Sequence, residues 1–275
     1  MTTAPTLELL DGNAIPQLGL GTWPLDDDEV HAAIGSALAC GYRLIDSATR
    51  YDNERGVGRA VADSDVPREE IVVTTKLPGA EQGYEEALAG FEQSRRRLGL
   101  EYVDLYLIHW PLPTVGRYVD TWRAFVHLRE QGLVRSIGVS NFTPGQIEEI
   151  VEATGVWPAV NQIELHPDFS QAEVRAWHAG RGIAIESWRP LGRGLLDDPA
   201  LARIAEAHGR TPAQVVLRWH TQLGLVAIPK SGNSERIAQN IDIFDFELGD
   251  DELAAIAALD GGNRLGGDPV THVEL

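Results

Sequence analysis

Eight short apolar runs recur along this 275-residue chain, at residues 18–21, 43–46, 71–76, 103–109, 136–140, 159–164, 183–187 and 226–228. Helical patterns lie between them, at 28–38, 83–98, 118–130, 143–153, 171–179 and 213–221. No other feature constrains the fold so tightly. Strands that alternate with helices build parallel sheets, because a parallel pair needs a crossover long enough to hold a helix. Val72-Val73 and residues 105–108 are continuous apolar runs, as strands covered on both faces are. Eight such units in about 250 residues predict a (β/α)8 barrel. An Asp11-Gly12-Asn13 turn between runs 6–10 and 14–18 reads as a β-hairpin that closes the barrel bottom. Two helices beyond the eight of the barrel are expected. Thr143-Pro144 and Thr211-Pro212 each put a capping hydroxyl before a proline at the first helical position. The competing architecture is an open doubly wound sheet. It loses support because Gly56-Val57-Gly58 is followed by Val61 where a dinucleotide fingerprint needs a third glycine, and Gly19-Leu20-Gly21 by Pro24.

Composition removes several functions. The chain carries 23 Lys and Arg against 41 Asp and Glu, a net charge of −18. That balance opposes sequence-independent binding to nucleic acid or to anionic membrane. The single cysteine, Cys40, can form neither an internal disulfide nor a cysteine zinc site. No targeting segment is visible, and no apolar stretch reaches the roughly 18 residues of a membrane helix. One domain over residues 1–275 is expected, in the cytoplasm. Of the 23 cations only Lys76 and Lys230 are lysines. Where arginine serves as the generic cation, a retained lysine is a candidate for a role that only a compact ammonium fills.

In such barrels chemistry sits at the carboxyl ends of the strands. The second run ends in Asp46-Ser47 with Tyr51 after it, the third in Lys76, and the fourth in His109-Trp110. Ser140-Asn141 ends the fifth; Gln162 lies within the sixth; Ser187-Trp188 and Lys230-Ser231 follow the last two. Singly each has an ordinary structural reading: a turn cap, a core histidine, a strand-end cation, a packed ring. Together, Tyr51, Lys76, Asp46 and His109 form a set suited to protonating a carbonyl oxygen. A phenol is a weak acid; a nearby ammonium favours its phenolate and lowers its pKa. A carboxylate holds the ammonium, and an imidazole orients the substrate oxygen. No nucleophile elbow, no H-E-x-x-H and no P-loop occurs, and the eight histidines show no metal spacing. The nucleophile is then a borrowed hydride, with a nicotinamide as its natural source.

Five ordered segments resemble the aldo-keto reductases over essentially the whole chain. They are Gly41-Tyr42-Arg43-Leu44-Ile45-Asp46-Ser47-Ala48 with Tyr51 and Asn53-Glu54; Val103 to Pro111 around His109; Ile137-Gly138-Val139-Ser140-Asn141-Phe142; Asn161-Gln162-Ile163-Glu164-Leu165-His166-Pro167; and Ile228-Pro229-Lys230-Ser231 with Arg236 and Asn240. Bacterial members that reduce keto-sugar acids and small dicarbonyls are the most similar. The resemblance implies Tyr51 as general acid, Lys76 and Asp46 as its tuning pair, and His109 as carbonyl orienter. It implies that Ser140, Asn141 and Gln162 hold a nicotinamide carboxamide, that Trp188 stacks on the ring, and that Gly21 and Thr22 approach the cofactor through backbone. Lys230, Ser231, Asn233 and Arg236 would bind the adenosine 2′-phosphate, favouring NADPH. Leu191, Gln239 and Asn240 complete the cofactor contacts, and Trp23, Trp110, Tyr51 and His109 the substrate contacts. No metal is implied, and monomer is the usual form of the family.

The phosphate assignment has independent support, since lysine, arginine, hydroxyl and amide donors lie within seven residues of an acidic chain. A solvated helix start would read the same way. Three positions depart from the family pattern. Arg189 stands where a small residue is usual, and would touch the pyrophosphate or clash with it. Pro78 stands where many relatives carry Trp, and Gln239 replaces a common Glu near the adenine. About a dozen residues follow Asn263, so the pocket is expected to be open, with Trp23, Trp110 and Tyr51 as its lining or as barrel-mouth packing. The expected activity is NADPH-dependent reduction of small aldehydes, ketones or dicarbonyls. Two other readings stay open: a Schiff-base aldolase or lyase using Lys76 or Lys230, and a noncatalytic NADPH sensor.

Overall fold

The computed structural model describes residues 3–274. Two short strands, β1 (Thr6–Glu8) and β2 (Ala14–Pro16), pair antiparallel as the opening hairpin. Eight parallel strands follow: β3 (Leu20–Gly21), β4 (Leu44–Asp46), β5 (Val72–Leu77), β6 (Val103–Ile108), β7 (Val134–Ser140), β8 (Val160–Glu164), β9 (Ala184–Trp188) and β10 (Val226–Ala227), each beside its sequence neighbour. Between them run α1 (Asp27–Cys40), α2 (Glu54–Ala62), α3 (Tyr84–Leu98), α4 (Tyr118–Glu130), α5 (Pro144–Thr154), α6 (Ala172–Ala179), α7 (Pro199–His208) and α8 (Pro212–Gln222); α9 (Ser234–Ile241) and α10 (Asp250–Ala257) come last. The sheet closes on itself through parallel bridges Leu18–Ala227 and Gly21–Lys230. Gly19 N donates to Ala227 O at 2.9 Å and Gly21 N to Pro229 O at 3.1 Å across the same seam. The barrel and its two extra helices are as expected. The boundaries shift by a few residues, and α2, α7, α9 and α10 fall where no helix was read.

Strand parity sorts the residues. Successive side chains on a strand face opposite sides. Leu44, Leu105, Leu107, Val160, Val226 and Ile228 fill the barrel interior, with Leu9 and Ile15 of the hairpin segment plugging its amino end. Their neighbours Ile45, Val73, Tyr106, Ile108, Ile137 and Val139 face outward into the core under the helices. A one-residue slip of any strand would exchange the two sets, and each buried Leu or Ile is worth about 1.5–3 kcal/mol. The register that buries these apolar residues therefore also fixes which polar residues face inward at the carboxyl end. Asp46 lies two residues beyond Leu44, His109 two beyond Leu107, Gln162 two beyond Val160, and Lys230 two beyond Ile228.

The seam explains one glycine. A Cβ at Gly21 would stand 2.8 Å from the Ile228 carbonyl oxygen, a backbone atom that cannot yield. Local signals set the helix starts. Thr143 and Thr211 cap α5 and α8 in capping boxes with Gln146 and Gln214, each followed by proline, as their sequence predicts.

Candidate active site

Lys76 on β5 is fully buried, and its surroundings satisfy it. Its Nζ donates to both carboxylate oxygens of Asp46 at 2.7 Å, to Ser47 O at 2.9 Å, and to Tyr51 Oη at 3.4 Å. Tyr51 comes from a short helical turn (Thr49–Tyr51) just past β4. Burial works to lower the Lys76 pKa, but the Asp46 carboxylate and the Tyr51 hydroxyl outweigh it and push it up to about 12. Lys76 is therefore a fixed ammonium. The His109 ring meets Tyr51 edge to face at 6.0 Å between centroids. The four residues, read from three strand ends, thus converge at one mouth.

One expectation is corrected. The net shift of the Tyr51 phenol is upward, because burial raises it more than Lys76 lowers it, and Asp46 adds to the rise. The ammonium only moderates a cost that burial imposes. Tyr51 is thus a held proton donor and no ready phenolate.

Beside this set, Asn141 adopts a left-handed conformation with φ of 62°, which asparagine tolerates. Its Nδ2 donates to His109 O and Ser140 Oγ, both at 3.0 Å, and its Oδ1 accepts from Trp188 Nε1 at 2.8 Å. Gln162 Nε2 donates to Asp46 Oδ1 at 2.8 Å and to Glu186 Oε2 at 2.7 Å. Glu186 was not read from the sequence. Burial, then the Asp46 charge, pushes its carboxyl up to about 8. The signal was available: an acidic residue at an inward position of an apolar strand.

A cavity of about 730 Å³ joins these groups. Its lining includes Gly21, Thr22, Trp23, Asp46, Tyr51, His109, Trp110, Ser140, Asn141, Gln162, Trp188 and Lys230. A second cavity of about 470 Å³ adjoins it, lined by Arg189, Leu191, Arg193 and Lys230 among others. Arg189 shares both cavities, with its guanidinium 5.5 Å from the centroid of the Trp188 ring. Lys230, Asn233, Arg236 and Gln239 are exposed, whereas Ser231 and Asn240 are buried. Ser231 Oγ and Asn233 Oδ1 are partly engaged already, accepting from Asn233 N at 3.1 Å and Arg236 N at 2.9 Å to start α9. Pro78 is buried and lies outside the lining of both cavities.

The expectation of an open pocket is corrected on one side. Trp23 is 53% exposed, but Trp110 is covered by the His272 ring at 4.0 Å. Gly266, Gly267, His272 and Glu274 all line the larger cavity, so the short tail suffices to wall it. Glu274 Oε1 lies 2.8 Å from His109 Nδ1 and 3.8 Å from Arg50 Nε, and its Oε2 accepts from Gly79 N at 3.1 Å. The line to Nδ1 lies off the direction of a ring hydrogen bond, which leaves a close polar approach only. Burial alone would raise the Glu274 carboxyl; His109, Gly79 N and Arg50 together hold it below the usual range. Arg50, His272 and Glu274 were not read from the sequence; His272 and Glu274 lie in an irregular tail, which carries no periodic signal that could have shown them. Among the described residues no cluster of histidine, cysteine and carboxylate side chains suits a metal, and no helix is long and apolar enough to cross a membrane.

Known proteins share this sequence and fold. The sequence model of the Aldo/keto reductase family matches residues 17–261. The chain is 50% identical over 277 residues to 2,5-diketo-D-gluconic acid reductase B of Corynebacterium sp. (strain SHS752001), covering 100% of both. It is 47% identical over 272 residues to the methylglyoxal reductase DkgA of Salmonella typhimurium (strain LT2), covering 98% of each. The crystal structure of a Gox0644 mutant in complex with NADPH superimposes with a TM-score of 0.95 at 48% identity, over 99% of this chain and 100% of that one. With a closed eight-stranded barrel and the tyrosine, lysine, aspartate and histidine at its mouth, the chain belongs to the aldo/keto reductase family.

Proposed function

We propose that the protein reduces small aldehydes, ketones and dicarbonyls to alcohols with NADPH, and that Tyr51 is its general acid. One observation carries the reading: a fully buried Lys76 ammonium, fixed by Asp46, stands 3.4 Å from Tyr51 Oη at the mouth of a cavity that His109 also lines. The relatives named for diketogluconic acid and methylglyoxal support the substrate class, and the NADPH complex of the structural neighbour supports the cofactor.

The residues fit NADPH. Thr22 Oγ1 is buried without a partner in a residue lining the cavity. Ser140, Asn141 and Gln162 offer polar atoms for a carboxamide, and Trp188 a ring face. Lys230 and Arg236 at the start of α9 offer cations for a 2′-phosphate, where a helix amino end also favours an anion. Arg189 and Arg193 flank the adjoining cavity and suit the pyrophosphate. When bound, NADPH supplies the hydride that reaches the carbonyl carbon. The chain does the rest. His109 orients the carbonyl oxygen, Tyr51 Oη gives that oxygen its proton, and Lys76 stabilises the phenolate until it regains a proton from water. In dry surroundings a fixed ammonium beside the developing charge needs no reorganisation.

The raised Lys76 pKa favours this reading over a Schiff-base lyase, because an ammonium is no nucleophile. One barrel supplies every group named, so we take residues 1–275 as a single domain working as a monomer; a location in the cytoplasm is proposed on the sequence reading alone. The test is NADPH oxidation across aldehydes, dicarbonyls and keto-sugars, with Tyr51→Phe beside the wild type. Turnover should fall by about 10²–10⁴-fold, while NADPH affinity stays within about twofold of wild type. Full activity of Tyr51→Phe overturns the mechanism. NADPH binding with no turnover on any carbonyl would instead make the protein a sensor.

A further inference from the structure

Glu186 points into the barrel from β9, two residues before Trp188, and no step described above uses it. Its Cα neighbours in the sheet are Gln162 on β8 and Val226 on β10. Gln162 Nε2 divides its two hydrogens between Glu186 Oε2 and Asp46 Oδ1, while Glu186 Oε1 is buried without a partner. An amide nitrogen only donates and an amide oxygen only accepts. Two carboxyl groups on one side of Gln162 therefore decide how its amide faces. The N–H groups turn to the barrel interior, and the carbonyl oxygen is left for the cavity that Gln162 lines. Asp46 is a shared anchor, since its Oδ1 also takes Lys76 at 2.7 Å. Glu186 Oε2 has only Gln162.

We propose that Glu186 is a positioning residue that fixes the Gln162 amide, and through it the face on which a nicotinamide carboxamide is accepted. This rests on the reductase reading given above. A carboxamide has a donor end and an acceptor end. A site that presents a carbonyl oxygen at Gln162 takes the donor end there and disfavours the ring turned over. Released from Glu186, Gln162 keeps one anchor of two and samples other rotamers. The groups facing Glu186 are Gln162 from β8, Asp46 from β4 and Lys76 from β5, and the wall toward β10 is the apolar Val226.

Three variants test the role in the whole 275-residue chain. E186Q keeps an acceptor at the same reach; E186D keeps the carboxyl and loses the reach; E186M keeps the volume and loses the acceptor. The readouts are NADPH Kd by fluorescence, and deuterium transfer to an aldehyde from NADPH labelled at either hydrogen of the reduced carbon. Wild type and E186Q should transfer from one face only. E186D and E186M should weaken NADPH binding by about 3- to 10-fold and transfer measurably from the second face as well. The proposal is overturned if E186D and E186M keep wild-type Kd and face selectivity, or if E186Q loses as much as they do. Should E186M fail to fold, E186D decides alone. A wild type that oxidises no NADPH refutes the reductase reading. Wild-type turnover with variants indistinguishable from it refutes only the role of Glu186.

Discussion

The two lysines stand at the same end of the barrel in opposite surroundings. Lys76 is fully buried, with four oxygens within 3.4 Å of its Nζ. Lys230 is exposed on the cavity rim and takes part in the barrel seam through its backbone. Buried, a charge is worth what its partners make it: removing one partner strands the other in a poor solvent. Exposed, a charge is hydrated and screened, and its partner is a ligand that comes and goes. The chain uses arginine almost everywhere else, and the contrast explains why Lys76 is an exception. A compact ammonium fits between Asp46, Ser47 O and Tyr51, where a planar guanidinium has no room. No such argument protects Lys230.

The largest expected effect follows directly. Lys76→Met leaves the Asp46 carboxylate, itself buried, without its cation. Urea unfolding should show a loss of about 3–5 kcal/mol, and turnover should fall at least as far as in Tyr51→Phe. Lys230→Met should shift the unfolding free energy by no more than about 0.5 kcal/mol. Equal losses in the two variants would break the comparison.

A second effect separates the buried side by pH. The Glu186 carboxyl is raised from 4.5 to about 8. Between those values the folded protein holds a proton that the unfolded chain has released. The stability this group contributes is complete below pH 4.5 and is lost as pH rises through about 8. E186Q has no such proton. The wild type should therefore lose stability relative to E186Q across this window, with a slope of at most about 1.4 kcal/mol per pH unit. A flat difference would mean that Glu186 is already ionised at the lower end, with Lys76 as its partner in place of the Asp46–Lys76 pair drawn here.

The same division governed what could be read in advance. Eight strands, the hairpin plug and the capped starts of α5 and α8 were legible because period, turn chemistry and caps are local. Asp46, Lys76, His109, Gln162 and Trp188 were legible because strand parity puts them at one mouth. Glu186 obeys the same parity but lies one inward position deeper than Trp188, inside its strand and short of the end where chemistry is expected. The tail was illegible for another reason. His272 covers Trp110, and Glu274 approaches His109, through contacts more than 160 residues apart in sequence that no local pattern encodes. The upward shift of Tyr51 was misjudged because sequence shows which charges are near but not how dry their surroundings are.

The smallest effect belongs to the exposed side, and salt distinguishes it. Arg236 and Lys230 are both exposed, so each should contribute modestly to binding a 2′-phosphate. Arg236→Ala should weaken NADPH by about tenfold, at the low end for a charge-assisted hydrogen bond, and leave NADH nearly unchanged. Lys230→Arg should cost less, because a rim cation needs charge more than shape. Raising the salt from 0.1 M to 1 M shortens the screening length from about 10 Å to about 3 Å. The advantage of wild type over Arg236→Ala should therefore shrink with salt. The deficit of Tyr51→Phe at saturating cofactor should not change, because its charges are buried beyond the reach of ions. Equal loss of NADPH and NADH affinity in Arg236→Ala would refute the phosphate assignment. A Tyr51→Phe deficit that collapsed with salt would show that the mouth of the barrel is wet, and that the two lysines differ less than their burial implies.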